Sequence, residues 1–488
     1  MAEIDWKKRY VANTASSYAN FAARMLTGIL VFTAILNGFG SEAFLFWQLL
    51  WSFISYSIVL DFGMGFTIQR LVTTAFWTFV ALGVASFAIA FLLKDPFLTF
   101  FKISAINQPD FGLAYLYFVG SVALLLPIGL FPAALIGVQK QYWYNWFSVA
   151  ASIVYLVLVT RAIEADRPLS QIMLLSMVFT ILPYVLSAAL VLPMLKVITL
   201  NPLKYRLSAV REQLSFSLIA YCNTCNNMFL GQSDRVVIGR MLPAIDMKLF
   251  QPGVKVAELL HGVAMQLMNV VPTAAAHLHA SGEKAPLREL FFNTNRLLFV
   301  ITTPFYFLAA IYMEELLRFL TDWSVIPDRV FLTGQIVLLM TYVSHLSSSA
   351  ADRVLMMCGH EKIILRFTVC RLLSHFLLSI LFAYKFGFIG VAIAGLVSVC
   401  TVNFGLLMPP VLRFLETDFK NYLYQHIRET AKPLGCFFVL LIAMKLGWPC
   451  PSEGSRWGVL FHLAIRGSII IGPTLYLLRN QITGTWKR

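Results

Sequence analysis

Apolar runs of about 17–25 residues follow one another along almost the whole chain, and each is long enough to cross a bilayer as a helix. Fourteen such runs are expected, over 11–36, 43–62, 76–93, 111–135, 142–162, 172–195, 213–238, 250–271, 297–313, 330–350, 363–384, 387–411, 433–448 and 457–478. This pattern confines the fold. A segment in lipid must satisfy its own backbone N–H and C=O groups, and an α-helix does so within itself. Charged residues make up 13% of the chain and the mean hydropathy is +0.74, where a soluble domain carries about 25% charge. The expected class is therefore an all-α polytopic membrane protein. The polar connections, such as "LKVITLNPLKYRLSAVREQ" and "RFLETDFKNYLYQHIRETAK", are too short for a separate soluble domain. The opening "MAEIDWKKRYVANTASSYAN" is polar and runs directly into the first span, so no cleavable signal peptide is expected.

The net charge of +14 raises the question of nucleic acid. Membrane proteins collect Lys and Arg in cytoplasmic loops, and no basic run with interleaved aromatics stands outside the spans, so no nucleic-acid partner is expected. With the N-terminus inside, the inner segments hold Lys7, Lys8 and Arg9, then Lys196, Lys204, Arg206 and Arg211, then Lys284, Arg288 and Arg296, and later Arg413, Lys420, Arg428 and Lys432. The outer loops carry Glu314, Glu315, Asp322 and Asp328. Both termini are thus expected in the cytoplasm, which requires an even number of spans.

The chain reads as a duplication. Span four ends "AALIGVQKQYW" and span ten ends "RVLMMCGHEKIIL". Aligning Gly137 with Gly359 gives an offset of 359 − 137 = 222 residues, which lays span seven over span one. Six spans per repeat give halves of the same orientation, related by a pseudo-two-fold axis along the membrane normal. The expected organisation is an N-terminal six-helix lobe over 1–198, a C-terminal six-helix lobe over 199–415, and two additional helices over 416–488. Two such lobes suit alternating access, with a substrate site near the midplane.

Charge inside an apolar span is costly and marks a functional candidate. In "GVKVAELLHGVAMQLMNVV", Lys255, Glu258, Gly262, Gln266 and Asn269 step by three or four and share one helix face. Span one does the same with Asn13, Ser17, Asn20, Arg24 and Thr27. Span seven carries Asn223, Asn227, Asp234 and Arg235; span ten Thr341, His345, Ser348 and Asp352; span eleven Thr368, Arg371 and His375. Such faces line either a protein interior or a wet cavity. Interhelical hydrogen bonding accounts for isolated groups such as Asn223 and Thr368, and Lys255 and Glu258 have the spacing to neutralise each other. Arg24 and Arg371 have no acid three or four residues away. A permanently charged, forked guanidinium suits a phosphate, so a cavity with excess cations implies an anionic substrate. The stretch "VLDFGMGFTIQRLV" closes span two. It reads either as a plain helix end or as a gate in which Asp61 and Arg70 exchange partners.

No catalytic constellation is present: there is no Walker A loop, GxSxG or HExxH, and the histidines lack ligand spacing. Cys222 and Cys225 form a CxxC inside an apolar span, where two small packed thiols are the simpler reading. The chain is not expected to be an enzyme, and no cofactor or metal is expected.

The motifs "NTASSYANFAARMLTG" in span one, "LDFGMGFTIQRLV" after span two, "GQSDRVVIGRML" closing span seven and "GHEK" after span ten resemble the polysaccharide flippases of Wzx type, over residues 10–415. These belong to the MOP superfamily, with the lipid II flippases and the MATE multidrug exporters. The resemblance implies two MATE-like six-helix lobes around a cationic cavity. It implies transfer of an undecaprenyl-diphosphate-linked oligosaccharide from the cytoplasmic to the periplasmic leaflet of the bacterial inner membrane, as in O-antigen, exopolysaccharide and lipopolysaccharide biosynthesis. Arg24 matches the position of a cavity arginine in lipid-diphosphate flippases, and Asp234 with Arg235 matches a recurring Asp-Arg pair. Fourteen spans is the lipid II flippase count, whose last two helices form a groove for the polyprenyl tail; many O-antigen flippases have twelve. In this reading Arg24, Lys255 and Arg371 hold the diphosphate, while Asn20, Asn223, Gln266 and Asn269 contact sugar hydroxyls. Glu258 or Asp61 binds a coupling H+ or Na+, and Arg70, Asp234 and Arg235 act at the gate. The expected assembly is a monomer among membrane lipids, associating with a polysaccharide polymerase. The competing readings are a multidrug exporter, whose cationic substrates want an acidic or aromatic cavity, and a membrane polysaccharide polymerase, which wants a sizeable external catalytic loop.

Overall fold

The structure is a computed structural model that describes residues 6–57, 68–194, 207–268, 271–280, 284–321 and 323–420, with shorter helical stretches between 434 and 472. The described residues are nearly all helical and contain no strand. They fall into two compact units, Met1–Arg240 and Met241–Arg488.

Unit 1 contains α1 (Trp6–Gly38), α2 (Ser41–Ser57), α3 (Ile68–Leu92), α4 (Lys94–Phe100), α5 (Gln108–Ile128), α6 (Leu130–Gly137), α7 (Gln141–Glu164), α8 (Leu169–Met194) and α9 (Leu207–Met241). Unit 2 contains α10 (Ala244–Leu267), α11 (Val271–Ala280), α12 (Lys284–Ile311), α13 (Met313–Leu320), α14 (Asp328–Met357), α15 (Glu361–Phe386), α16 (Phe388–Val402) and α17 (Met408–Phe414), the last two joined by a π-helical turn over Asn403–Leu407. The first twelve expected spans all overlap these helices, with span four divided between α5 and α6 and span twelve running from α16 through the π turn into α17. Most of spans thirteen and fourteen lies outside the described residues, although residues 437–444 and 465–469 are helical.

Among the described residues, eight helices are long and apolar enough to cross a membrane, and nine if α3 and α4, bent by 54°, form one span. The remaining rods fall short for local reasons. Helix α2 has 17 residues, α9 lowers the hydropathy of its uncharged stretch with Asn223, Asn226 and Asn227, and α10 carries Asp246, Lys248, Lys255 and Glu258. The outward faces are apolar: on α15, Leu373, Leu377 and Leu381 are exposed while Thr368, His375 and Ser379 on the same helix are buried. An apolar outside around a polar inside is the arrangement a bilayer demands. The chain is an all-helical, multi-pass membrane protein.

The boundary between the units follows the end of α9. A Cβ at Gly239 would meet Leu45 and Leu49 at 3.2 Å, and Arg240 lies over the Phe100 ring at 5.1 Å. The expected cut at 198/199 is drawn by repetition, not compactness, and falls outside the described residues.

Each unit has its own core. Unit 2 buries Phe291, Leu298, Val354, Leu355, Phe367 and Leu407 in one cluster, and unit 1 packs Phe131, Leu135 and Val191 against Phe76 and Tyr144. Small residues set the closest helix crossings. A Cβ at Gly253 would stand 2.6 Å from the Cα of Gly334, so α10 and α14 touch backbone to backbone there.

The two helix exits behind the expected repeat are alike. After α6, the Val138 N–H donates to Ala134, Lys140 to Leu135, and Gln139 has φ 57°. After α14, the Cys358 N–H donates to Val354, His360 to Leu355, and Gly359 has φ 77°. The same exit closes α4, α7 and α17, with Lys102, Asp166 and Glu416 at positive φ, so it is a general helix ending in this chain and fixes no alignment of the repeat.

Candidate functional site

The polar face of α1 meets α7 along its length. The Asn13 amide donates to the Gln139 carbonyl (3.3 Å) and side chain (3.4 Å), and the Tyr142 N–H donates to Asn13 Oδ1 at 3.0 Å. One turn on, buried Asn145 donates to Ser16 Oγ (2.9 Å) and Ser17 Oγ (3.1 Å) and accepts from Asn20 Nδ2 (3.3 Å). Next, Arg24 Nε donates to Ser148 Oγ at 3.0 Å and Nη2 to the Tyr144 hydroxyl at 3.4 Å. Thr27 closes the seam on the Ser152 carbonyl at 3.4 Å. Both sequences advance together, so the helices run parallel, as spans one and five must. Part of the α1 stripe is thus interhelical glue, while Arg24 is exposed and touches only hydroxyls. A guanidinium has five N–H donors; two of those on Arg24 are engaged, and no carboxylate lies within ion-pairing distance of it among the described residues.

Unit 2 builds a second polar interior between α10, α12, α14 and α15. Arg371 Nη2 donates to Ser344 Oγ at 3.0 Å, and its buried Nε has no hydrogen-bond partner. Its carbonyl accepts from Ser374 Oγ (3.1 Å) and Ser398 Oγ (3.3 Å), which fixes the turn of α15 against α16. Arg353 donates to the Ser349 carbonyl at 3.0 Å and points toward Met265. Asp352 feels both guanidiniums, yet its Oδ1 is buried without a hydrogen bond. One carboxylate therefore faces two guanidiniums, and the cluster keeps a net positive charge. Beside it, His261 Nδ1 lies 3.1 Å from His345 Nε2, His345 Nδ1 lies 3.1 Å from Ser349 Oγ, and Thr303 Oγ1 lies 2.7 Å from the Tyr342 hydroxyl.

The other expected site residues are distributed as follows. Lys255 is not an open cation: its Nζ is 3.5 Å from Glu258 Oε2. Asn223 is buried on α9, and Arg235 bonds Gln232 beside Asp234. Arg70 starts α3, its side chain outside the described set, as is that of Gln266; Asp61 and Asn269 lie outside the described residues altogether. Sequence reasoning left Tyr144, Asn145, Ser148, Ser344, Arg353 and the His261–His345 contact out of the site. Asn145 and Ser148 carried the only available signal, two polar residues three apart at the start of an otherwise apolar span. Which helix they face is not encoded locally. Among the described residues no group of three or more His, Cys, Asp or Glu side chains is placed to hold a metal ion.

The sequence matches no family model and no curated protein. Its fold is that of solved membrane transporters. It is similar to the lipid II flippase MurJ in an inward closed conformation, with TM-score 0.71 over 96% of this chain and 100% of that one, at 14% identity. It is similar to an inward-facing multidrug resistance MATE family transporter of the MOP superfamily, with TM-score 0.64 over 81% and 95%, at 12% identity. A MOP superfamily transporter from Pyrococcus furiosus, described as having a binding pocket of reverse polarity, gives TM-score 0.60 over 84% and 97%, at 13% identity. Likeness at these identities establishes the fold.

Proposed function

We propose that this chain is a flippase that moves an undecaprenyl-diphosphate-linked oligosaccharide from the cytoplasmic to the periplasmic leaflet of the bacterial inner membrane by alternating access, for surface polysaccharide biosynthesis. The observation that carries the reading is a guanidinium in each unit, Arg24 and Arg371, hydrogen-bonded only to hydroxyls and without a carboxylate at ion-pairing distance among the described residues. A charge so placed in an apolar helix is stabilised by a bound anion, and a forked donor suits a diphosphate. The fold shared with a lipid II flippase supports the transport class. The same fold is shared with multidrug transporters, but an excess of fixed guanidiniums disfavours organic cations. Asn20, which leaves its buried Oδ1 unbonded, and Asn223 are the amides offered to sugar hydroxyls. Lys255 takes a secondary place because Glu258 already neutralises it. Both termini are assigned to the cytoplasm from the distribution of Lys and Arg.

The test is complementation of a host lacking its own flippase with Arg24→Ala and Arg371→Ala chains. Surface polysaccharide should fall at least tenfold in each while membrane levels of the protein hold. Full polysaccharide in both variants refutes the diphosphate role.

A further inference from the structure

His261 on α10 and His345 on α14 stand ring to ring, with centroids 4.8 Å apart and Nδ1 of the first 3.1 Å from Nε2 of the second. Two neutral imidazoles make this contact only if one nitrogen carries hydrogen and the other does not. The remaining nitrogen of His345 is occupied, since Nδ1 lies 3.1 Å from Ser349 Oγ on the next turn. That serine hydroxyl can donate or accept, so the chain Ser349–His345–His261 can reverse its hydrogen bonds as a unit. The far end, Nε2 of His261, is in no hydrogen bond among the described residues, and His261 is exposed whereas His345 is buried at 1%. When His261 Nδ1–H donates to His345 Nε2, the bare Nε2 of His261 can take up a proton and make that ring an imidazolium. Transfer across the 3.1 Å contact places the charge on the buried ring. A second proton would bring two cations together at this distance, so the pair takes one.

The surroundings decide when that proton is held. The charged groups around the pair are Glu258, one turn before His261 on α10, and the guanidiniums of Arg353 on α14 and Arg371 on α15. Tyr306 of α12 stacks edge-on to His345 at 6.0 Å and on Tyr342 at 5.3 Å, and both phenols are neutral walls. Helix α16 adds no ionisable side chain except Cys400. Helix α13 meets the Gly253–Gly334 crossing through Met313, two turns before His261, and carries the Glu314–Arg318 pair and Glu315.

We propose that His261 and His345 form a one-proton site in unit 2, thermodynamically linked to the anion held by Arg371. An anion at Arg371 cancels a charge that opposes the proton, so each ligand strengthens the other by the same factor. The linkage rests on the proposed role of Arg371; the one-proton site itself rests on the imidazole geometry alone.

The experiment uses the full chain in nanodiscs with 15N-labelled histidine and farnesyl diphosphate as the probe anion. In the wild type, the two imidazole signals should titrate together with uptake of one proton between about pH 5 and 8, the range in which histidine changes charge. His345→Gln should move the titration of His261, and His261→Gln that of His345. Independent titration of the two rings, insensitive to each other's replacement, overturns the site. Adding farnesyl diphosphate should move the shared titration to higher pH. Reciprocally, its affinity should rise about fivefold or more on going from pH 8 to pH 5.5, the low end of ordinary coupling. That rise should vanish in the double variant His261→Gln/His345→Gln, with binding retained at its high-pH strength. Diphosphate that binds through Arg371 with no pH dependence overturns the linkage and leaves the transport reading standing. Failure of farnesyl diphosphate to bind at any pH, with the same result in Arg371→Gln, overturns the anion reading and the linkage together, while the one-proton site is still decided by the histidine spectra.

Discussion

Ser148→Asp separates the two things Arg24 can be. Ser148 is 2% exposed, and its Oγ accepts from Arg24 Nε at 3.0 Å. An aspartate there sets a carboxylate against the guanidinium with no change of partner helix. At an effective dielectric of ~20, two unit charges ~4 Å apart attract by about 4 kcal/mol. Desolvating the new carboxylate takes back a large part, which leaves about 1.5–3 kcal/mol that an incoming diphosphate must overcome, or about tenfold to a hundredfold in its hold on Arg24. Flux in a flippase-deficient host should fall by that factor, while the thermal stability of the purified chain holds or rises. Ser148→Ala is the control. It removes one interhelical acceptor, a loss of about 0.6 kcal/mol on average in membranes, so flux should fall less than threefold. If Ser148→Asp melts higher than the wild type and supports full surface polysaccharide, Arg24 is a helix clamp and its role as an anion ligand is refuted.

Two further outcomes follow from the same geometry. Lys255→Ala should cost flux less than about threefold in the same complementation assay, because Glu258 at 3.5 Å already compensates the ammonium and a partly exposed pair contributes about 1 kcal/mol or less; a loss as large as that of Arg24→Ala would return Lys255 to the binding site. Gly253→Val should destabilise unit 2 by about 1–3 kcal/mol or more, since its Cβ would meet the Gly334 backbone at 2.6 Å and backbone cannot step aside; an unchanged melting temperature by size-exclusion thermal shift would refute the close crossing.

The helices were legible because length and hydropathy in lipid leave one solution. The polar faces were legible too, since residues three and four apart share a side whatever the partner. What each face meets was not. Asn13, Ser17 and Asn20 read as cavity lining as easily as glue, and the decision lies with Gln139, Tyr142 and Asn145, more than a hundred residues away around the start of α7. Lys255 and Glu258 show the opposite case: the pairing was readable from i,i+3 spacing, yet the lysine was still set among the substrate ligands. The histidine contact was hidden because His261 and His345 are single residues on two helices, and only the Gly253–Gly334 crossing, two turns earlier on α10, brings those helices close enough for the rings to touch.

The energetics of the cations argue for a working role. Translocon scales put an arginine at a span centre at about 2.5–3.5 kcal/mol. Two hydrogen bonds to hydroxyls return about 0.6 kcal/mol each, which leaves Arg24 uncompensated as pure glue. Three helical cations have a carboxylate beside them: Arg318 with Glu314 at 2.7 Å, Arg161 with Glu164 at 3.2 Å, Lys255 with Glu258 at 3.5 Å. Arg24 is given serine and tyrosine instead, and Arg371 a serine together with an Asp352 that it shares with Arg353. Hydroxyls orient a guanidinium without discharging it. A fixed fork with its charge intact is what a passing diphosphate can use and later leave, whereas a carboxylate partner would have to be displaced in every cycle.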